Sequence, residues 1–178
     1  MVLPASARTP VSVSLLGELA FGLVPALSPG VALAVAARPG ERWGFALTAD
    51  YARSQRATRG VGSLDVGLTR GSALLTYELG RSAGASLTFG VGPTVGAFHV
   101  APRTPPPITG SGDFWFAAAE LSGRFQLAVT KRVLLETGGE LLLAPAQQEF
   151  AVRGQDDAVW KQPALAGSVF LGVGAPFP

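Results

Sequence analysis

The stretch Trp43-Gly44-Phe45-Ala46-Leu47-Thr48-Ala49-Asp50-Tyr51-Ala52 places bulky, mostly apolar side chains at odd positions and small or polar ones at even positions. That alternation has the two-residue period of a β-strand whose faces meet different surroundings. Read outward from it, the pattern predicts eight strand segments, at 11–24, 30–37, 43–54, 66–79, 85–99, 114–129, 133–144 and 161–174. A helix is a poor alternative in the fifth, because Gly90, Gly92, Pro93 and Gly96 would cost a helix interior about 1 kcal/mol per Gly and about 3 kcal/mol for Pro.

The connections alternate in length. Compact ones fall at Arg38-Pro39-Gly40-Glu41-Arg42, Gly80-Arg81-Ser82-Ala83-Gly84 and Thr130-Lys131-Arg132. Longer links are predicted over 55–65, 100–113 and 145–160, while the first, 25–29, is short. Short turns at one end and longer loops at the other, with both termini on the short-turn side, predict an even-stranded up-and-down barrel. All segments but the second reach the roughly 9–11 residues that a tilted strand needs to cross a bilayer.

Composition agrees with a single folded unit: 178 residues, 48% of them hydrophobic, with 23 Gly, 14 Pro and no Cys. Disulfides, thiolate metal sites and cysteine nucleophiles are thereby excluded. Every stretch long enough to cross a bilayer as a helix is interrupted by Gly, Pro or charge within about 20 residues. A formal charge of only +2 gives little support for nucleic-acid binding. The barrel is expected over 11–178, preceded by a flank over 1–10. Met1-Val2-Leu3-Pro4 lacks a basic segment followed by an apolar one, so a processed form or a piece of a longer precursor is expected.

Parity separates a membrane barrel from a soluble one. Odd positions carry Leu15, Leu19, Leu33, Phe89, Val91, Leu121, Phe125, Leu135, Leu141, Val169 and Leu171. Even positions are small, and they hold the charges inside the strands: Glu18, Asp50, Arg70, Glu78, Glu120, Arg124, Glu136 and Glu140. A Lys or Arg facing lipid at the bilayer midplane costs about 2–4 kcal/mol, so an odd face in lipid and an even face in the lumen predict this one-sided distribution. The fourth segment fits least well, since Leu68 and Leu74 share the even face with Arg70 and Glu78. The alternative is a soluble lipocalin-like barrel with its odd face turned inward around an apolar ligand, which would leave an Ala- and Gly-rich surface in water. Tyr51, Trp115 and Trp160 toward the long-loop end, with Trp43 and Phe177 toward the other, predict two sparse aromatic girdles.

In these segments and connections the chain resembles the small eight-stranded outer-membrane barrels of Gram-negative bacteria, over residues 11–178. The resemblance is architectural and implies a bacterial outer-membrane location in contact with outer-membrane lipid. Ala166-Gly167-Ser168-Val169-Phe170-Leu171-Gly172-Val173-Gly174 is similar to the carboxy-terminal strand read by the barrel-assembly machinery. That family usually ends on an aromatic, whereas here Phe177 is followed by Pro178.

Several groups are candidates for chemistry. A three-residue turn at 130–132 sets Arg124 opposite Gly138, with Glu136 and Glu140 as its diagonal neighbours. The luminal charges are thus expected to form a polar plug or, with six acids against two arginines, a slim cation path. Arg53, Arg56 and Arg59 could meet the phosphates of lipopolysaccharide bidentately, and the Pro-rich loop from Ala101 to Pro107 could present a polyproline II segment to a surface partner. Some barrels of this kind are hydrolases or acyltransferases. Here, however, the single histidine lies in Phe98-His99-Val100-Ala101 with no Ser beside it, and no enzyme is expected. No cofactor is expected either: Gly90-Val91-Gly92 and Gly172-Val173-Gly174 lack a full nucleotide fingerprint, and Asp156-Asp157 is the only close acidic pair.

Overall fold

The computed structural model describes residues 11–59, 62–82, 84–103, 112–151 and 158–177. Its barrel strands are β1 (Val11–Phe21), β2 (Ser28–Ala37), β3 (Trp43–Arg59), β4 (Gly62–Ser82), β5 (Ala85–Pro102), β6 (Gly112–Ala128), β7 (Leu134–Leu143) and β10 (Leu165–Phe177). They close in the order β1-β10-β7-β6-β5-β4-β3-β2, every neighbouring pair antiparallel. A two-residue hairpin, β8 (Glu149–Phe150) with β9 (Trp160–Lys161), stands apart from the barrel sheet. The expected all-β, eight-stranded up-and-down barrel is the fold observed.

Closure comes from β1, which pairs along its length with β2 on one side and β10 on the other, from Val11↔Phe177 to Phe21↔Gly167. The chain leaves β1 at Gly22, whose φ of 71° lies in the left-handed region that glycine enters without steric cost. The Thr130–Arg132 turn is the tight one expected: the Val129 N–H donates to the Val133 carbonyl at 3.0 Å. Within β5, Pro93 has no N–H to give, and the β4–β5 pairing is interrupted there, between Ser72↔Thr94 and Leu75↔Val91.

Several boundaries differ from the sequence reading; β1, for one, ends at Phe21 and not at 24. The predicted long link at 55–65 is mostly strand: β3 and β4 continue as a hairpin to Arg59↔Gly62. Between Ala52 and Gln55 that hairpin carries an irregularity in register. A bulge of this kind re-aims the residues beyond it, so Ala57 is buried although its number is odd. The turn predicted at 80–84 is tighter, because β4 runs to Ser82. Lys161 belongs to β9, and the last barrel strand starts at Leu165. Ala101 and Pro102 end β5, while the rest of the Pro-rich loop from Thr104, the Asp156-Asp157 pair, the flank at 1–10 and Pro178 lie outside the described residues.

The odd face points out. Leu15, Leu33, Phe45, Leu47, Val91, Leu121, Leu141, Val169 and Leu171 are exposed around the barrel, Leu171 to 67%. An encircling apolar surface of this kind far exceeds the few hundred Å² that a monomer in water ordinarily shows. The soluble alternative required this face to be inside, and the arrangement is the reverse. Leu68 and Leu74, the misfits of the fourth segment, are buried in the interior as their even numbers require. Tyr51 and Trp115 are exposed near one end, Trp43 and Phe177 near the other. Trp160 belongs to neither girdle: it turns inward against Phe98 and Phe150.

Four substitutions check this packing. Leu171→Arg and Leu33→Arg, at the middle of the belt, are expected to lower stability by about 2–4 kcal/mol each, and Val129→Arg at the belt's edge by about 1 kcal/mol or less. Urea titrations of protein folded into lipid vesicles would measure the difference. Gly138→Ala is expected to cost about 1–3 kcal/mol in the same titration, because a Cβ there meets the Gly123 carbonyl and the Phe170 ring.

Candidate functional site

Even-numbered residues of the strands converge on a lumen divided into three layers. The middle layer is ionic. Arg70, on β4, lies directly opposite Asp50 of β3, and its Nε donates to Asp50 Oδ1 at 2.6 Å. Its Nη2 crosses the lumen to Glu140 Oε2 of β7 at 2.6 Å and Glu18 Oε1 of β1 at 3.1 Å. Ser168 of β10 donates to the same Glu140 oxygen at 3.2 Å. One guanidinium therefore ties β3 and β4 to β1 and β7 across the barrel, which is possible because eight strands enclose a space only about as wide as the side chains that fill it.

Below it, toward the short-turn end, Arg124 stands opposite Gly138, as expected from the turn. Its Nη1 lies 3.1 Å from Glu136 Oε1, its Nη2 3.6 Å from Glu140 Oε1, and its guanidinium stacks 5.3 Å from the Phe170 ring centroid. Ser14 and Gln126 donate to the other Glu136 oxygen at 2.8 and 3.0 Å. Glu120 accepts from Ser72 and from Thr94, the latter at 2.5 Å. Glu78 is the predicted member that stands apart: it pairs with Arg38 at 2.5 Å and Arg81 at 3.1 Å, both near the short turns. Those partners sit outside the strand interior, so a survey of strand charges alone counts Glu78 as unpaired. A cup of about 250 Å³ opens below this layer, lined by Ser12, Ala46, Thr76, Thr88, Arg124 and Gln126 among others.

Above it the lumen is apolar. Leu68, Phe98, Phe116 and Leu142 are buried there, together with Leu23 and Val24 from the β1–β2 link and Phe150 and Val159 around the short hairpin. Phe98 stacks on Phe116 at 4.9 Å and meets Phe150 and Trp160 edge-on at 5.8 and 5.6 Å. This lid was not visible in the sequence, where residues 145–160 read as a surface link; its signal is the pair of aromatics, Phe150 and Trp160, within that stretch.

The three predicted outer arginines part company. Arg53 and Arg56 line one groove of about 490 Å³ with Tyr51, Ser54, Asp65 and Arg103. Asp65 bridges Arg56 at 3.2 Å and Arg103 at 2.5 Å. Arg59 donates instead to the Ala158 carbonyl at 3.1 Å.

The outer surface also assembles a group that the sequence leaves scattered. His99 of β5 is opposite Asp113 of β6 and, on the other side, opposite Gly67 of β4, next but one to Thr69. His99 Nδ1 lies 2.7 Å from Asp113 Oδ1, and His99 Nε2 lies 2.9 Å from Thr69 Oγ1. All three have odd numbers and are exposed. Separations of 14 and 30 residues hide the group from any search for a neighbouring nucleophile. Only the strand register reveals it.

No protein-family model matches the sequence, and no curated protein matches it. Solved structures do match. A major outer membrane protein of Thermus thermophilus superimposes with a TM-score of 0.68 at 13% identity, over 96% of this chain and 100% of that one. Neisserial surface protein A gives 0.65 at 15%, over 95% and 97%. OprG of Pseudomonas aeruginosa gives 0.64 at 14%, over 96% of each chain. At these identities the likeness concerns the fold, and it bears out the architectural resemblance: this chain folds as the small eight-stranded barrels of bacterial outer membranes do.

Proposed function

We propose that the chain spans a bacterial outer membrane as an anchored interaction module whose lumen is closed. The observation that carries this reading is the pairing of a continuous apolar exterior with an interior blocked twice, by the Arg70 ion cluster and by the Phe98–Phe116 lid. Lipid supports the first feature, since Arg and Lys are absent from the middle of the outward face. The second speaks against a slim cation path: Asp50, Glu18 and Glu140 are taken up by one guanidinium rather than lining open water. With the lumen shut, the parts left to meet partners are the long-loop end of the barrel and its rim. There, Arg53 and Arg56 support contact with phosphate-bearing lipid, lipopolysaccharide included.

In planar bilayers the protein is expected to be silent at moderate voltage. Phe98→Ala combined with Phe116→Ala and Arg70→Ala is expected to give discrete openings. Steady, cation-selective conductance from the unaltered protein would favour the pore instead. Arg70→Met is expected to lower stability by about 3–5 kcal/mol, the usual cost of leaving buried charges without their partner. Urea titration in vesicles would measure that loss, and an unchanged midpoint would mean that the carboxylates find other partners.

A further inference from the structure

We infer that Thr69, His99 and Asp113 form a hydrolytic site on the outer wall of the barrel, acting on the acyl ester of a phosphate-bearing lipid. The geometry is that of an activated hydroxyl. The Asp113 carboxylate, 2.7 Å from Nδ1, accepts a hydrogen bond from the N–H at that nitrogen and so holds the proton there, fixing the tautomer. Nε2 is then left with its lone pair toward Thr69 Oγ1 at 2.9 Å. This is the nucleophile, base and orienting acid in hydrogen-bond sequence, an arrangement recognised by geometry and not by position in the chain.

The site has room for a substrate. Beside it lies an open groove of about 550 Å³, lined by Tyr51, Ser54, Gly67, His99, Val100 and Asp113 among others. Gly67, lying between His99 and the β3 bulge, carries no side chain into the groove, and a Cβ there would meet Ser54. The bulge between Ala52 and Gln55 is what brings Ser54 to this outer surface, against the parity of its number. The Tyr51 and Ser54 hydroxyls are the groove donors available to a developing oxyanion.

Placement selects the substrate class. Thr69 is opposite Tyr51 on β3 and Ala97 on β5, and Ala97 is opposite Trp115. The nucleophile therefore sits in the row of exposed aromatics that marks a membrane–water boundary, where the ester carbonyls of a lipid lie. Tyr51 and Ser54 line both this groove and the one containing Arg53, Arg56 and Arg103, so one lipid lying along the two would set its phosphate by the arginines and its ester beside His99, the groove residue that Thr69 contacts. In the reaction Thr69 Oγ1 loses its proton to His99 Nε2 and bonds to the ester carbon. His99 returns that proton to the departing alcohol, leaving an acyl-threonine. Water, deprotonated by the same nitrogen, then releases the fatty acid and restores the hydroxyl.

The inference rests on the belt facing lipid, and two substrates separate the two ideas. With the full chain folded in detergent micelles, p-nitrophenyl butyrate tests the three residues independently of any bilayer. Fatty-acid release from phosphatidylglycerol vesicles, from lipid A and from phosphate-free diacylglycerol tests the placement and distinguishes the source of the phosphate. Butyrate hydrolysis is expected to fall at least about 100-fold in Thr69→Ala and His99→Ala and to survive in Thr69→Ser, with unboiled gel mobility unchanged in all three. A fluorophosphonate probe is expected to attach at Thr69, located by mass spectrometry. Absence of butyrate hydrolysis, or hydrolysis undiminished in His99→Ala, would overturn the catalytic assignment. Butyrate cleavage with no release from either phosphate-bearing lipid would overturn the substrate class and leave the anchored-barrel reading untouched.

Discussion

Closure of the sheet is the constraint on which everything else depends. A strand in an apolar medium must pair every N–H and carbonyl within the protein, since hydrocarbon offers no partners. An open sheet fails at its two edges. Here the β1–β10 register from Val11↔Phe177 to Phe21↔Gly167 removes both edges at once. Once the sheet is closed, the strand period of two sorts all side chains into an outside and an inside, and each inherits a different chemistry. The outward face carries Leu, Val and Phe through most of its height, the composition that a lipid surrounding favours. The inside must fill a narrow tube, and Ala, Gly, Ser and Thr leave room for a few long charged side chains to meet across it.

That narrowness explains why the lumen is built from ions and aromatics in separate layers. Arg70 reaches three carboxylates on three strands because the far wall is one side chain away. Removed from water, such charges are tolerable only when paired and hydrogen-bonded. Ser14 and Gln126 donate to Glu136, Ser72 and Thr94 to Glu120, and Ser168 to Glu140. The apolar lid lies toward the loop end, where Phe150 and Trp160 can be folded in from the hairpin. An ionic layer with an aromatic cover leaves a blind cup at the opposite end.

Strand parity was legible because it repeats: Trp43 to Ala52 announces two faces, and Arg124 opposite Gly138 follows from a three-residue turn and counting. What could not be read depended on departures from counting. The bulge between Ala52 and Gln55 reverses the phase of β3, so the polar residues beyond it read as a loop when they are strand. Trp160 looked like an interfacial aromatic, since nothing local says that its link folds back onto Phe98. Glu78 reads as luminal, and it is buried, but its partners Arg38 and Arg81 belong to the short-turn end and not to the set of charges counted inside the strands. Thr69, His99 and Asp113 each read as ordinary residues on separate strands; their meeting requires the registers of β4, β5 and β6.

The orientation of the odd face is the claim on which membrane anchoring, closed lumen and outer-wall groove all stand. It is tested most directly by circular dichroism and unboiled gel mobility of the purified chain, with and without detergent micelles. A β spectrum and a heat-modifiable band that arise only with detergent are the expected result. A monodisperse, folded barrel in plain buffer would contradict it, because an apolar belt running through Leu15, Leu33, Val91, Leu141 and Leu171 has no stable arrangement in water.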